Sequence, residues 1–152
     1  MKPLFRSVLG YYQLVGGAIG VVVSLFGLKQ SDTTDTLVIG VVFVAMLIYA
    51  YSMLCGVVLL RASAHALALR LSAANQFVQV LVISSTSITY KFVSGLAIIV
   101  GVKSVPELTV GLKATLSTFL IHWGSANAEL FYGLNLVALM LLVLIFQELK
   151  RG

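Results

Sequence analysis

The sequence predicts an all-α membrane bundle of four transmembrane helices, with a small extracytoplasmic β-rich insertion between helices 3 and 4. Three observations predict it. Apolar residues make up 60% of the 152 and charged residues only 10%, with a mean hydropathy of +1.07. An ordinary soluble domain carries roughly 25% charged residues and builds its wetted surface from them. Long hydrophobic runs recur along the chain, each comparable to the roughly 20 residues needed to cross a bilayer. Between about 88 and 122 the apolar period changes from helical to two, the signature of strands. Residues 1–152 read as a single polytopic membrane domain.

The first helix is expected over about 9–28. Gly10, Gln13, Gly17, Gly20, Ser24 and Gly27 recur there at steps of three and four, which places them on one stripe of a helix. Such a small-residue seam lets helices approach closely where hydrophobic attraction between them is weak. Gly10, Gly17, Gly20, Ser24 and Gly27 form the expected packing seam, and Gly16 with Gly20 adds a small-xxx-small pair beside it. A basic start with Lys2 and Arg6 also suits a signal peptide, but Ser24–Lys29 offers no clear small-x-small cleavage site. Retention as a transmembrane helix is the expectation, with Tyr11 and Tyr12 at the interface.

A polar loop with Asp32 and Asp35 leads into the second helix, about 37–60, which carries no charge. The third helix is expected over about 69–87. Ser72, Asn75, Gln76, Gln79 and Thr86 share one of its faces with Ile83, and that face must turn inward because an unpaired amide in hydrocarbon costs several kcal/mol. From Ile88 onward alternation takes over, through Tyr90 and Phe92 and again from Leu108 to Leu116. Two or three antiparallel strands outside the bilayer, with one face on the mouth of the bundle, satisfy this pattern. A re-entrant hairpin with an amphipathic helix is the competing reading. The fourth helix is expected over about 129–149, with Glu129 at its positive end and Trp123, Phe131 and Tyr132 as an aromatic belt.

Charge sets orientation. With both termini cytoplasmic, Lys2, Arg6, Arg61, Arg70, Lys150 and Arg151 lie inside and Lys29, Lys91, Lys103 and Lys113 outside, while four of the five acids, Asp32, Asp35, Glu107 and Glu129, lie outside. That is the positive-inside arrangement, and it suits a bacterial cytoplasmic membrane. The formal net charge of +5 comes from scattered Lys and Arg, with no basic stripe to grip a phosphate backbone, so nucleic acid is not an expected partner. The expected partners are the lipid bilayer and a further copy of the chain or another membrane protein.

The candidate site is an intramembrane polar cluster of Gln13, Ser52, Asn75, Gln76, Gln79 and Asn135. Two roles suit it: interhelical hydrogen bonding that fixes register, or the lining of a pathway or pocket for a small polar solute or lipid. Coupled transport is disfavoured because no Asp, Glu, Lys or Arg is expected deep in a span. No catalytic, cofactor-binding or metal-binding residue is expected: His65 and His122 are predicted on opposite sides, and neither stands in a metal spacing. Cys55, the sole cysteine, has no sequence-adjacent base and reads as a small hydrophobe. A non-enzymatic structural, accessory or self-assembling component is therefore expected, with a passive channel or solute- or lipid-binding protein as the alternative.

Tyr12-Gln13 before Gly16-Gly17, Asn75-Gln76 with Gln79, Tyr90-Lys91-Phe92 before Ser94-Gly95-Leu96, and Gly133-Leu134-Asn135 together resemble a group of small bacterial four-helix membrane proteins of uncharacterised activity. The resemblance implies no substrate, cofactor or catalytic residue.

Overall fold

A computed structural model describes residues 3–30, 36–61, 65–104, 108–123 and 130–151. The loops carrying Asp32, Asp35, Glu107 and Glu129 lie outside the described residues, as do the side chains of His65, His122 and Trp123. The elements run α1 (Pro3–Gln30), α2 (Thr36–Arg61), α3 (His65–Val80), β1 (Leu81–Ser84), β2 (Ile88–Lys103), β3 (Thr109–Trp123), β4 (Phe131–Asn135) and α4 (Leu136–Arg151).

This corrects the all-α four-span expectation. Among the described residues there are four helices, but they share the molecule with a four-stranded antiparallel sheet. Among the described residues only two helices, Leu4–Lys29 and Thr36–Arg61, are long and apolar enough to cross a membrane. With 16 residues each, α3 and α4 rise only about 24 Å, short of a hydrocarbon core about 30 Å thick.

Two boundaries explain the difference. The third helix does not continue to residue 87 but ends at Val80, where Leu81–Ser84 becomes a strand. Val78, Val80, Val82 and Ile83 are β-branched and stiff at χ1, which lowers helix propensity and suits a pleated surface. The fourth helix does not begin near residue 129, because Phe131–Asn135 is a strand and α4 starts at Leu136. Gly133 sits opposite both Val82 and Gly101. The ring of Phe131 fills the space where a Cβ at Gly101 or Gly133 would stand, so it faces the sheet interior rather than joining an aromatic belt.

The sheet order is β1-β4-β2-β3, with β1 also paired to β2. Each of the pairs β1–β2, β1–β4 and β2–β4 is antiparallel. Three straight strands cannot all be antiparallel to one another, because two reversals restore the original direction. A bend in β2 resolves the conflict. Its first part, Thr89–Lys91, pairs with β1, and its last part, Ile99–Lys103, pairs with β4. Between them the β2–β3 register shifts at Val93/Leu96, and Gly95 adopts φ +99°, a conformation natural only to glycine. β-bulges bend strands in this way.

The helices pack by halves. Leu9, Leu59, Leu69, Leu142 and Ile145 form one core between the first half of α1, the end of α2, α3 and α4. The bent sheet packs beside the middle of the α1–α2 hairpin, where the Tyr49 and Phe92 rings lie 5.5 Å apart and Phe92 meets Phe119 at 6.2 Å. The sheet is thus not an insertion at the mouth of a bundle; it lies alongside helix midpoints. A third cluster, Val82, Val93, Ala97 and Ile99 with Phe131, lies on the concave side of the sheet.

Candidate functional site: a buried polar hub at the sheet bend

The bend in β2 interrupts a β ladder, and an interrupted ladder leaves backbone groups that must find other partners when buried. The helices supply them. Tyr49 Oη donates to the Val93 carbonyl at 3.2 Å and Tyr12 Oη to the Leu96 carbonyl at 2.8 Å. The Ser94 amide donates to Gln79 Oε1 at 2.7 Å, and the Gly95 amide to Ser117 Oγ at 2.9 Å. Ser117 Oγ in turn donates to the Gly16 carbonyl at 2.8 Å, joining β3 to α1.

The predicted cluster supplies the rest of this hub. Ser52 Oγ donates to the Gln13 carbonyl at 3.3 Å and accepts from Asn75 Nδ2 at 3.0 Å. A hydroxyl has one proton, so with that proton on Gln13 the 2.8 Å contact between Ser52 and Ser94 has Ser94 as donor. Ser72 Oγ donates to Gln13 Oε1 at 3.1 Å, and Gln79 Nε2 to the Asn75 carbonyl at 3.2 Å. Gln13, Ser52, Ser72, Asn75, Gln79 and Ser94 are at most 1% exposed. Helices α1, α2 and α3 therefore converge with β2 on one network.

Two members of the predicted set stand apart from these bonds. Gln76 is fully buried, yet neither its Oε1 nor its Nε2 has a protein partner. Leaving buried amide groups unmade costs about 1–3 kcal/mol each. Gln13 Nε2 and Asn75 Oδ1 are likewise without partner. Asn135 serves a local purpose, its Oδ1 accepting from the amides of Val137 and Ala138 at 3.1 and 3.3 Å. That is an N-cap of α4.

The packing seam is used within the chain. A Cβ at Gly10 would meet Leu60 and the Gly56 carbonyl, one at Gly17 would meet Met53 and the Tyr49 carbonyl, and one at Gly20 would enter the Tyr49 ring. Ser24 Oγ donates to the Gly20 carbonyl at 2.8 Å, and Gly27 faces open space. Gly16, placed beside the seam, turns instead to the bend, where a Cβ would lie 2.5 Å from the Gly95 amide nitrogen. Cys55 is free and buried.

Sequence reasoning missed Ser94, Ser117, Tyr49 and Tyr12 as members of the hub. Ser94-Gly95 between two alternating runs is a bulge signal, and it marks where buried partners are needed. No family model matches the chain, and neither a curated protein nor a solved structure matches it.

Proposed function

We propose that this chain is a non-enzymatic membrane component that acts by assembly, with the open edge of β3 as its contact to a second copy or to a membrane-protein partner. One observation carries the reading: β3 is 15 residues long, and among the described residues its only ladder partner is β2. A long unpaired edge is a template for another strand in water and costs free energy in lipid. Its exposed side chains include Val110, Leu112, Leu116 and Leu120, the first two about three-quarters exposed. Few charged groups flank them to block pairing.

The closed polar hub favours assembly over passive conduction. Gln13, Asn75 and Gln79 bond to serine hydroxyls and to backbone, and three cavities of the structure are lined instead by strands or by the α1 and α4 ends. In this reading α1 and α2 cross a bacterial cytoplasmic membrane with both termini inside.

Single cysteines at Val110, Leu112, Ala114 and Leu116, in a Cys55→Ala background, test the contact in native membranes. Two β3 strands related by a two-fold axis bring one position opposite itself, with Cα atoms about 4.5–5.5 Å apart. Disulfide dimers peaking at one position are expected from self-assembly, and a co-purifying partner with a shifted profile from hetero-assembly. Monomers at every position, with nothing co-purifying in mild detergent, overturn the proposal.

A further inference from the structure

The bend that builds the hub also makes the other side of the sheet concave, and that side carries positive charge. Lys91 on β2 and Lys113 on β3 line a cavity of about 430 Å³, together with Ser84, Thr89 and Lys103. A volume of that size lies within the roughly 300–1,000 Å³ of small-molecule sites. Register places the lysines by pairing: Lys91 stands opposite Val82 and Leu120, and Lys113 opposite Ile99. The remaining wall is apolar, formed by Val82, Ile99, Leu112, Leu120 and Phe131.

The charges of Lys91 and Lys113 are poorly compensated. Lys91 Nζ donates to Thr115 Oγ1 at 3.5 Å, its one hydrogen bond among the described residues, although an ammonium has three protons to place. Thr115 Oγ1 is itself shared with Thr118 Oγ1 and the Leu116 carbonyl. Among the described residues no carboxylate lines the cavity, and Glu148 is engaged with Arg151 at 3.2 Å. Two like charges in a partly apolar enclosure repel each other, and an anion between them removes that repulsion.

We propose that this cavity binds a phosphate-type anion between Lys91 and Lys113, with one further proton from the Ser84–Thr89 hydroxyl pair, whose members are bonded to each other at 3.3 Å, and the apolar wall receiving whatever hydrocarbon the anion carries. The inference does not depend on the assembly reading. The anion comes either from a phospholipid headgroup or from a free phosphate, and the same lysines serve both.

The full chain tests this by thermal unfolding in two settings. In non-ionic detergent it is titrated with inorganic phosphate against chloride at equal ionic strength; in nanodiscs, phosphatidylcholine alone is compared with phosphatidylcholine plus phosphatidylglycerol. A midpoint that rises with phosphate identifies a free-anion site, and one that rises only with phosphatidylglycerol identifies a lipid-headgroup site. Either shift should persist in Lys91→Arg and vanish in Lys91→Met/Lys113→Met. Should the double variant fail to fold, Lys113→Gln at its exposed position reads the same loss. No shift in either setting, or a shift unchanged when the lysines are removed, overturns the site.

Discussion

Gly95 shows how much of the molecule one residue can hold. Its φ of +99° makes the bend in β2, and a Cβ there would also stand 2.8 Å from the Tyr12 ring. Both effects oppose a side chain, the first through backbone strain of about 1–3 kcal/mol and the second through displacement of a tyrosine that bonds the Leu96 carbonyl. Gly95→Ala should therefore lower the unfolding midpoint in detergent by an amount corresponding to at least about 1–3 kcal/mol. Gly111→Ala, where a Cβ meets nothing within 4 Å, should change it little. Equal midpoints for the two variants would show that the bend does not depend on glycine. The sequence displayed Gly95 between two alternating runs, but nothing local distinguishes a bulge glycine from a turn glycine. The groups of α1 and α2 that bond the flanking carbonyls of Leu96 and Val93 are more than 40 residues away.

At the scale of elements, α1 and α2 were legible because length and uninterrupted hydrophobicity suffice to specify them. β2 and β3 were legible through their period of two. The ends of α3 and α4 were not. Gln76 and Gln79 continue a helical stripe towards Ile83 and Thr86, and only tertiary pairing of Leu81–Ser84 with β2 and β4 converts that segment to a strand. The polar stripe did identify residues that the structure brings together, because a buried amide has few alternatives to meeting another polar group. It did not reveal that the meeting point is a strand. The junction between α1 and the sheet is the element-level contact most exposed to test, since a Cβ at Gly16 would lie 2.5–2.7 Å from backbone atoms of Ser94 and Gly95. Backbone cannot swing aside as a long side chain can. Gly16→Ala should separate α1 from the bend and accelerate hydrogen exchange at the Gly95 amide. Gly27→Ala, facing open space, should stabilise α1 slightly, by up to about 1 kcal/mol. Unchanged Gly95 exchange in Gly16→Ala would sink the assignment.

The molecule as a whole carries an apolar exterior across sheet and helices, and this bears on where the sheet lies. Lys91, Thr115 and Thr118 are joined by hydrogen bonds on the concave side, while Leu96, Ile98, Val102, Val110 and Leu116 are exposed on the other. The same apolar exterior continues over Val15, Val22, Phe26 and Phe43 of the helical hairpin. Bonds at Gly16, Tyr49 and Ser52 fix the sheet beside the middle of both candidate spans. If α1 and α2 cross the bilayer, the bend must then lie near its mid-depth. An apolar exterior is what strands present to lipid, and strands are tolerated there only when backbone edges are closed. Membrane depth and edge pairing at β3 are consequently one requirement. A cysteine at Val110, exposed and outside the cavity wall, should resist a membrane-impermeant maleimide in intact and opened vesicles and react after detergent solubilisation, whereas one at Thr115, on the cavity side, should react in opened vesicles. Free labelling at Val110 before detergent would place the sheet in water and separate it from the depth that α1 and α2 imply.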